Sequence, residues 1–207
     1  MNDTARVILL TGPSGSGKSS LAARTGLPVL RLDDFYKEGD DPSLPRIAGG
    51  ASGSGGGGDT DWDAPGSWDA EAAVAAVREL SETGRTTVPV YDIAASARVG
   101  RAEIELAGSP LFIAEGIFAA EIAGRCQELG LLADALCLRG RPATTFRRRL
   151  VRDVREGRKS LPVLVRRGWR LMRAEPAIVR RHAALGAYPC RKQEALARIA
   201  EASALTV

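Results

Sequence analysis

A single histidine, His182, stands in this chain of 207 residues, and the three cysteines (Cys126, Cys137, Cys190) are scattered with no CxxC pair. One histidine cannot furnish a His-based metal cage, and a His-dependent triad would need convergent partners that the sequence does not show. The expectation for His182 is a partly solvated residue near a helix end. An odd, scattered set of cysteines fits reduced thiols in cytosol better than a disulfide framework or a zinc site. Aromatic residues make up only 5% of the chain, so a core must come mainly from Leu, Val, Ile and Ala. No apolar run approaches the ~20 residues of a membrane span. The run in MNDTARVILL is too short for a secretory signal. A soluble, cytoplasmic protein without membrane partners is expected.

What is present supports a core: 44% of residues are hydrophobic and 26% charged. At this length one domain spanning residues 1–207 is the default. The net charge of +4 conceals an asymmetry. Residues 1–138 carry 11 basic and 20 acidic side chains, a balance of −9, whereas residues 139–198 carry 18 basic and 4 acidic, a balance of +14. A cationic third suits nucleic acid, an anionic membrane or a phosphate-rich ligand.

Short β-rich runs alternate with helical periods. Strands are expected at 6–11, 28–32, 86–91, 101–106, 110–115 and 134–139. Helices are expected at 17–25, 68–83, 119–129, 143–156 and about 191–203, with 161–184 largely helical but interrupted by Pro162 and Pro176. The glycine run within 48–60 cannot pack and reads as a mobile surface loop. Alternating strands and helices argue for a mostly parallel sheet covered on both faces.

The most specific motif is GPSGSGKS at 12–19, which fits G-x-x-x-x-G-K-[ST] with a hydrophobic strand before it and a helix after it. Gly12, Gly15 and Gly17 let the backbone curl so that successive N–H groups face a β-phosphate, and the helix start adds its positive dipole end. Lys18 would bridge β- and γ-phosphates, and Ser19 would complete a Mg²⁺ shell. ATP·Mg is therefore expected on residues 12–20, through Gly12, Ser14, Gly15, Ser16, Gly17, Lys18, Ser19 and Ser20. A G-protein reading fails because NKxD is absent and the literal DxxG at Asp63–Gly66 follows a glycine-rich stretch.

Phosphoryl transfer to an alcohol also needs a carboxylate near the γ-phosphate to take the hydroxyl proton. LRLDDFYK puts Asp33 and Asp34 at the end of the second strand, where one acid can cap a helix while the other faces substrate. Glu115 ends the apolar run PLFIAE, placed to hold Mg²⁺ directly or through water. The tract 141–160 is an arginine-studded helix with Arg148, Arg152 and Arg155 on one stripe and Arg149 beside them. Only Phe146 and Trp169 interleave with the cationic residues, which argues against nucleic acid as a partner.

In order along residues 5–160, the segments GPSGSGKS, LDDFYK, DWDAPGSWD, PVYDIAASAR, FIAEGIFA and RRRLVRDVREGRK resemble the uridine kinase family of P-loop kinases, related to phosphoribulokinase. The resemblance implies a P-loop NTPase fold of the nucleoside monophosphate kinase-like type: a mostly parallel five-stranded sheet flanked by helices, with an Arg-rich helical lid at 141–160. It implies ATP- and Mg²⁺-dependent phosphorylation of the 5′-hydroxyl of uridine or cytidine. On its motifs Asp33 matches the general base, Ser19 and Glu115 the Mg²⁺ ligands, and Asp63 the acid that holds the ribose hydroxyls. Tyr91 and Arg98 match the nucleoside side, and Arg149 and Arg152 the lid arginines that join Lys18 around the phosphates.

The sequence also departs from that family. Its base-reading histidine falls at Ser96, an aromatic neighbour falls at Ile93, and the lid's R-G-R becomes Gly157-Arg158-Lys159. Residues 161–207 look unlike the best-known members and read as a helical extension. Two alternatives stand beside the nucleoside reading. One is a kinase of the same fold acting on another small alcohol, such as a vitamin, a sugar phosphate or another nucleoside. The other is a non-catalytic ATP-binding module with a basic docking surface. A homo-oligomer is compatible with all three.

Overall fold

A computed structural model describes residues 4–47, 60–140, 145–146 and 161–205. Five strands form the main sheet: β1 (Arg6–Thr11), β2 (Val29–Arg31), β5 (Leu111–Glu115), β6 (Leu132–Leu138) and β7 (Tyr188–Cys190). Their order is β2-β5-β1-β6-β7, and every pairing is parallel. The central strands are apolar along most of their length, as strands covered on both faces are.

The two faces follow the period of the pleat. Val7 and Leu9 of β1 pack with Phe112, Ala114 and Cys137 under helix α2 (Ala70–Thr83) and helix α3 (Ala123–Glu128). Ile8 and Leu10 turn the other way, toward Ile113, Leu136 and Leu138, beneath helix α1 (Lys18–Ala22) and helix α5 (Lys192–Ala204). All four β1 residues are fully buried. At about 1.5–3 kcal/mol for each buried aliphatic side chain, this strand is a major part of the core. Helix α2 starts where Asp69 accepts the N–H of Ala72 and stops at Gly84, whose φ of 75° satisfies the left-handed C-cap.

The strands expected at 86–91 and 101–106 lie outside the main sheet. They form a separate antiparallel hairpin of β3 (Arg85–Asp92) and β4 (Ala97–Glu105). The reason is visible in β4, where only Ala97 and Ile104 are even half-buried and the other residues are exposed, so the strand cannot sit in a sheet covered on both faces. The fifth sheet strand is β7, three residues with no readable period. Residues 119–129 also differ from expectation: a 3₁₀ turn at Ala119–Ile122 precedes α3.

Helix α4 (Leu161–Ala184) runs through Pro176, correcting the expected interruption. Proline removes one helical hydrogen bond. Here Glu175 and His182 are buried and Val179 packs on the core, an i, i+4, i+7 stripe that holds the helix on its course. Pro162 sits in the first turn, where its missing N–H costs nothing. The glycine-rich stretch 48–59 and most of the 141–160 tract lie outside the described residues, with Arg149 and Arg152 among them.

Candidate active site

The loop between β1 and α1 requires its glycines. Gly12 has a φ of 140°, and a Cβ there would lie 2.4 Å from the carbonyl oxygen of Leu138. Gly15 and Gly17 have φ values of 82° and 96°, in the range that side chains disfavour. Lys18 is buried at the root of the loop and donates from Nζ to the Gly12 carbonyl at 2.9 Å. Ser16 is buried, and its Oγ has no hydrogen-bond partner among the described residues. Ser14 is half-buried and Ser20 exposed, with the Ser20 hydroxyl 3.4 Å from Nζ of Lys192.

Strand register brings the acids to this loop. Glu115 pairs with Leu10 of β1 on one side and Arg31 of β2 on the other, so the C-terminal ends of β1, β2 and β5 lie together. Glu115 is buried beside the Ser19 hydroxyl. Burial pushes its carboxyl above the usual range, against the opposing pull of Ser19 and Lys18, and Asp33 nearby adds to the rise. Its Oε2 has no hydrogen-bond partner among the described residues.

Asp33 and Asp34 face different ways. Both lie inside a 3₁₀ turn, Leu32–Phe35, and neither caps it, which corrects the expected helix cap. Asp33 Oδ1 accepts the Ile117 N–H at 2.9 Å, two residues beyond Glu115. The approach is close enough that a Cβ on Gly116 would sit 2.9 Å from that oxygen. Asp34 is buried, 3.5 Å from Nε of Arg31 and 3.5 Å from the Tyr91 N–H, and so ties the hairpin to the turn. Burial raises its pKa despite the Arg31 charge.

The donor set fits Mg²⁺: a hydroxyl and a carboxylate with an uncommitted oxygen beside a lysine and an anion-cradling loop. Among the described residues no group of three His, Cys, Asp or Glu could hold a metal alone. That suits an ion which takes one or two protein ligands and completes its shell with phosphate and water.

A group of aromatic rings centres on Tyr36, three residues after Asp33. Tyr36 is 5.9 Å from Trp62, 5.7 Å from Tyr91 and 5.9 Å from Phe118 between ring centroids. The Tyr91 hydroxyl donates to the Lys37 carbonyl at 3.0 Å, and the Tyr36 hydroxyl donates to the Trp62 carbonyl at 3.3 Å. Asp63 follows Trp62 on an exposed turn, its N–H bonded to Asp61 Oδ1 at 3.2 Å. Arg98 is held 3.7 Å from Asp69, the cap of α2. Ser96, at the hairpin tip, has a φ of 50° and accepts the Gly39 N–H at 2.8 Å, while Ile93 is exposed.

The structure thus gathers Lys18, Ser19, Asp33 and Glu115 at the C-terminal end of the sheet and puts Tyr91 among the rings. Tyr36 and Trp62 sit inside LDDFYK and DWDAPGSWD, and their aromatic character was the available signal. His182 is a correction. It is buried, with Nδ1 3.1 Å from Thr11 Oγ1 and 3.7 Å from Cys137 Sγ. It lies 171 residues from Thr11, and no local pattern announces such a contact. Burial holds the His182 pKa down at about 4 and pushes Cys137 up to about 11, so the two meet as neutral groups.

No family model matches the chain. A uridine kinase of Saccharomyces cerevisiae is 31% identical over 123 residues, which are 56% of this chain and 23% of the yeast protein. A uridine kinase of Clostridium tetani is 27% identical over 167 residues, 77% of this chain and 73% of that protein. The chain spans only about a quarter of the yeast enzymes it matches. Among solved structures, one described as a fructose transport system kinase of Silicibacter sp. TM1040 aligns at a TM-score of 0.58 and 22% identity. It covers 83% of this chain and 86% of that one, and it shares the fold. The chain is uridine kinase-like in sequence.

Proposed function

From that likeness and the cluster at the C-terminal end of the sheet, we propose that the chain is an ATP- and Mg²⁺-dependent kinase acting on a small alcohol, with the 5′-hydroxyl of a pyrimidine nucleoside as acceptor. The observation that carries the reading is the meeting of Lys18, Ser19, Asp33 and Glu115 at the C-terminal ends of β1, β2 and β5. Asp33 takes the proton of the acceptor hydroxyl, whose oxygen forms the new bond to the γ-phosphorus as the bond to ADP breaks. Lys18 neutralises charge that develops on the phosphoryl oxygens, and the backbone of residues 12–17 holds the phosphates in line. Ser19 and Glu115 hold Mg²⁺, which supplies further charge neutralisation when bound. Tyr36, Trp62 and Tyr91, backed by the buried Phe118, offer flat surfaces for an acceptor with an aromatic base. Asp63, Arg98 and the lid arginines Arg149 and Arg152 complete the substrate contacts in this reading, and residues 1–207 act as one kinase domain.

A second acceptor class has one observation in its favour. The hairpin presents Ser96 and exposed Ile93 where the uridine kinase family carries a histidine and an aromatic residue, so another small alcohol would meet less resistance. One experiment separates the readings: ADP release with ATP and Mg²⁺ against a panel of nucleosides, sugar phosphates and vitamins. Uridine or cytidine as the preferred acceptor supports the first reading. Preference for another alcohol replaces it with the second. ATP binding without acceptor-dependent turnover would leave only a binding module.

A further inference from the structure

We propose that His182, through Thr11 and Ile117, is a positioning residue for Asp33. This rests on the reading of Asp33 as general base. The links are four groups from separate parts of the chain. His182 Nδ1 is 3.1 Å from Thr11 Oγ1, Thr11 Oγ1 donates to the Ile117 carbonyl at 3.2 Å, and the Ile117 N–H donates to Asp33 Oδ1 at 2.9 Å. Thr11 is the last residue of β1, and its hydroxyl contacts only Ile117 and His182 among the described residues.

Proton counting sets the direction of the chain. A threonine hydroxyl has one hydrogen, and here it is given to Ile117. In the proposed relay Nδ1 of His182 is then the donor to Thr11, with Cys137 Sγ 3.7 Å from the same nitrogen. With its pKa held down at about 4, the imidazole stays neutral at working pH. Both His182 and Thr11 are buried, so water does not compete for these bonds.

A second contact from the next residue restrains the same segment. Arg181 Nη2 pairs with Glu121 at 2.7 Å, in the turn that follows Ile117. The last turn of α4 thus reaches residues 117–121 directly through Arg181 and Glu121 at 2.7 Å, and by way of Thr11 through the 3.1 Å contact of His182. A shift of Ile117 would rotate the Asp33 carboxylate away from the acceptor, and misplacement on the scale of an ångström is costly in transfer reactions.

The test uses side chains that preserve or lose one nitrogen. Asn places an amide N–H where Nδ1 stood, whereas Gln reaches toward Nε2. We expect His182→Asn and Thr11→Ser to stay within about twofold of the parent kcat, and His182→Gln and Thr11→Val to lose about tenfold in kcat with KM for ATP unchanged. A ranking with His182→Asn as impaired as His182→Gln overturns the proposal. Amide hydrogen exchange gives a readout independent of turnover: Ile117 should exchange about tenfold faster in His182→Gln while Leu9 in β1 keeps its rate. Equal acceleration at both amides, or none at Ile117, also overturns it. If the parent protein phosphorylates no acceptor, the kinase reading fails, and the Ile117 exchange still decides whether His182 positions that segment.

Discussion

Asp33 and Ile117 lie 84 residues apart in sequence and are joined by a single hydrogen bond, 2.9 Å from the Ile117 N–H to Asp33 Oδ1. The bond orients a carboxylate that lies near Glu115 and its Ser19 and Lys18 neighbours. Asp34 is spent on Arg31 and Tyr91 instead. Adjacent, chemically identical residues thus hold different positions because a 3₁₀ turn sends successive side chains in different directions.

Asp33→Asn tests the base directly. The amide oxygen can still accept from Ile117, so the local fold is kept while basicity is lost. Turnover should fall by about 10²–10⁴-fold, the range of general-base catalysis. ATP affinity by calorimetry should stay at the parent value. Near-normal ADP release in the variant would remove Asp33 from that role.

Gly12→Ala should damage the phosphate loop. Its new Cβ would be driven 2.4 Å from the Leu138 carbonyl oxygen, and both atoms belong to backbone that cannot swing aside. Gly26→Ala is the control: its φ is 73°, yet nothing lies within 4 Å of a Cβ there. Backbone strain alone should cost the control on the order of 1 kcal/mol, against 3 kcal/mol or more for Gly12→Ala with loss of ATP binding. Thermal unfolding and nucleotide titration of the two proteins check the contrast.

Much of this arrangement is legible in the sequence because its signals are local. GPSGSGKS sits between an apolar strand and a helix, and PLFIAE ends on its acid, so neighbouring strands alone bring Lys18 to Glu115. The two hairpin strands are legible at 86–91 and 101–106, but alternation in RAEIE does not say which sheet a strand joins. The strand β7 has three residues, and its existence depends on pairing with β6. His182 was beyond reach for the same reason: its environment is built by tertiary packing of α4 on the ends of β1 and β6.

Glu115 should make Mg·ATP affinity depend on pH. The cation binds the carboxylate form, and burial raises the pKa of that carboxyl. Affinity should therefore weaken as pH falls through the raised value, beginning above the ordinary glutamate range of about 4.3. Without metal the linkage has the opposite sense: the ionised form is the penalised one, so its contribution to stability is lost as pH rises through the folded pKa. Glu115→Gln should flatten both profiles and weaken Mg·ATP binding by about 10–100-fold. Calorimetry across mildly acidic to neutral pH, with thermal unfolding in a chelator, measures both; an unchanged pH dependence in the variant would assign it elsewhere.

His182 should make acid the weak side of the fold. Its pKa is about 4 in the native state, lowered first by burial and then by Arg181 and Lys18, against about 6.5 in an unfolded chain. Between those values the unfolded state binds the extra proton, so stability rises with pH across the window and is lost as pH falls through it. The full span corresponds to on the order of 3 kcal/mol. Denaturant midpoints at pH 7 and about pH 4.5 should differ more in the parent than in His182→Asn, which cannot titrate and keeps the contact to Thr11. If the two proteins lose stability equally on acidification, another group carries the acid sensitivity, and the imidazole is not the buried neutral donor that Thr11 requires.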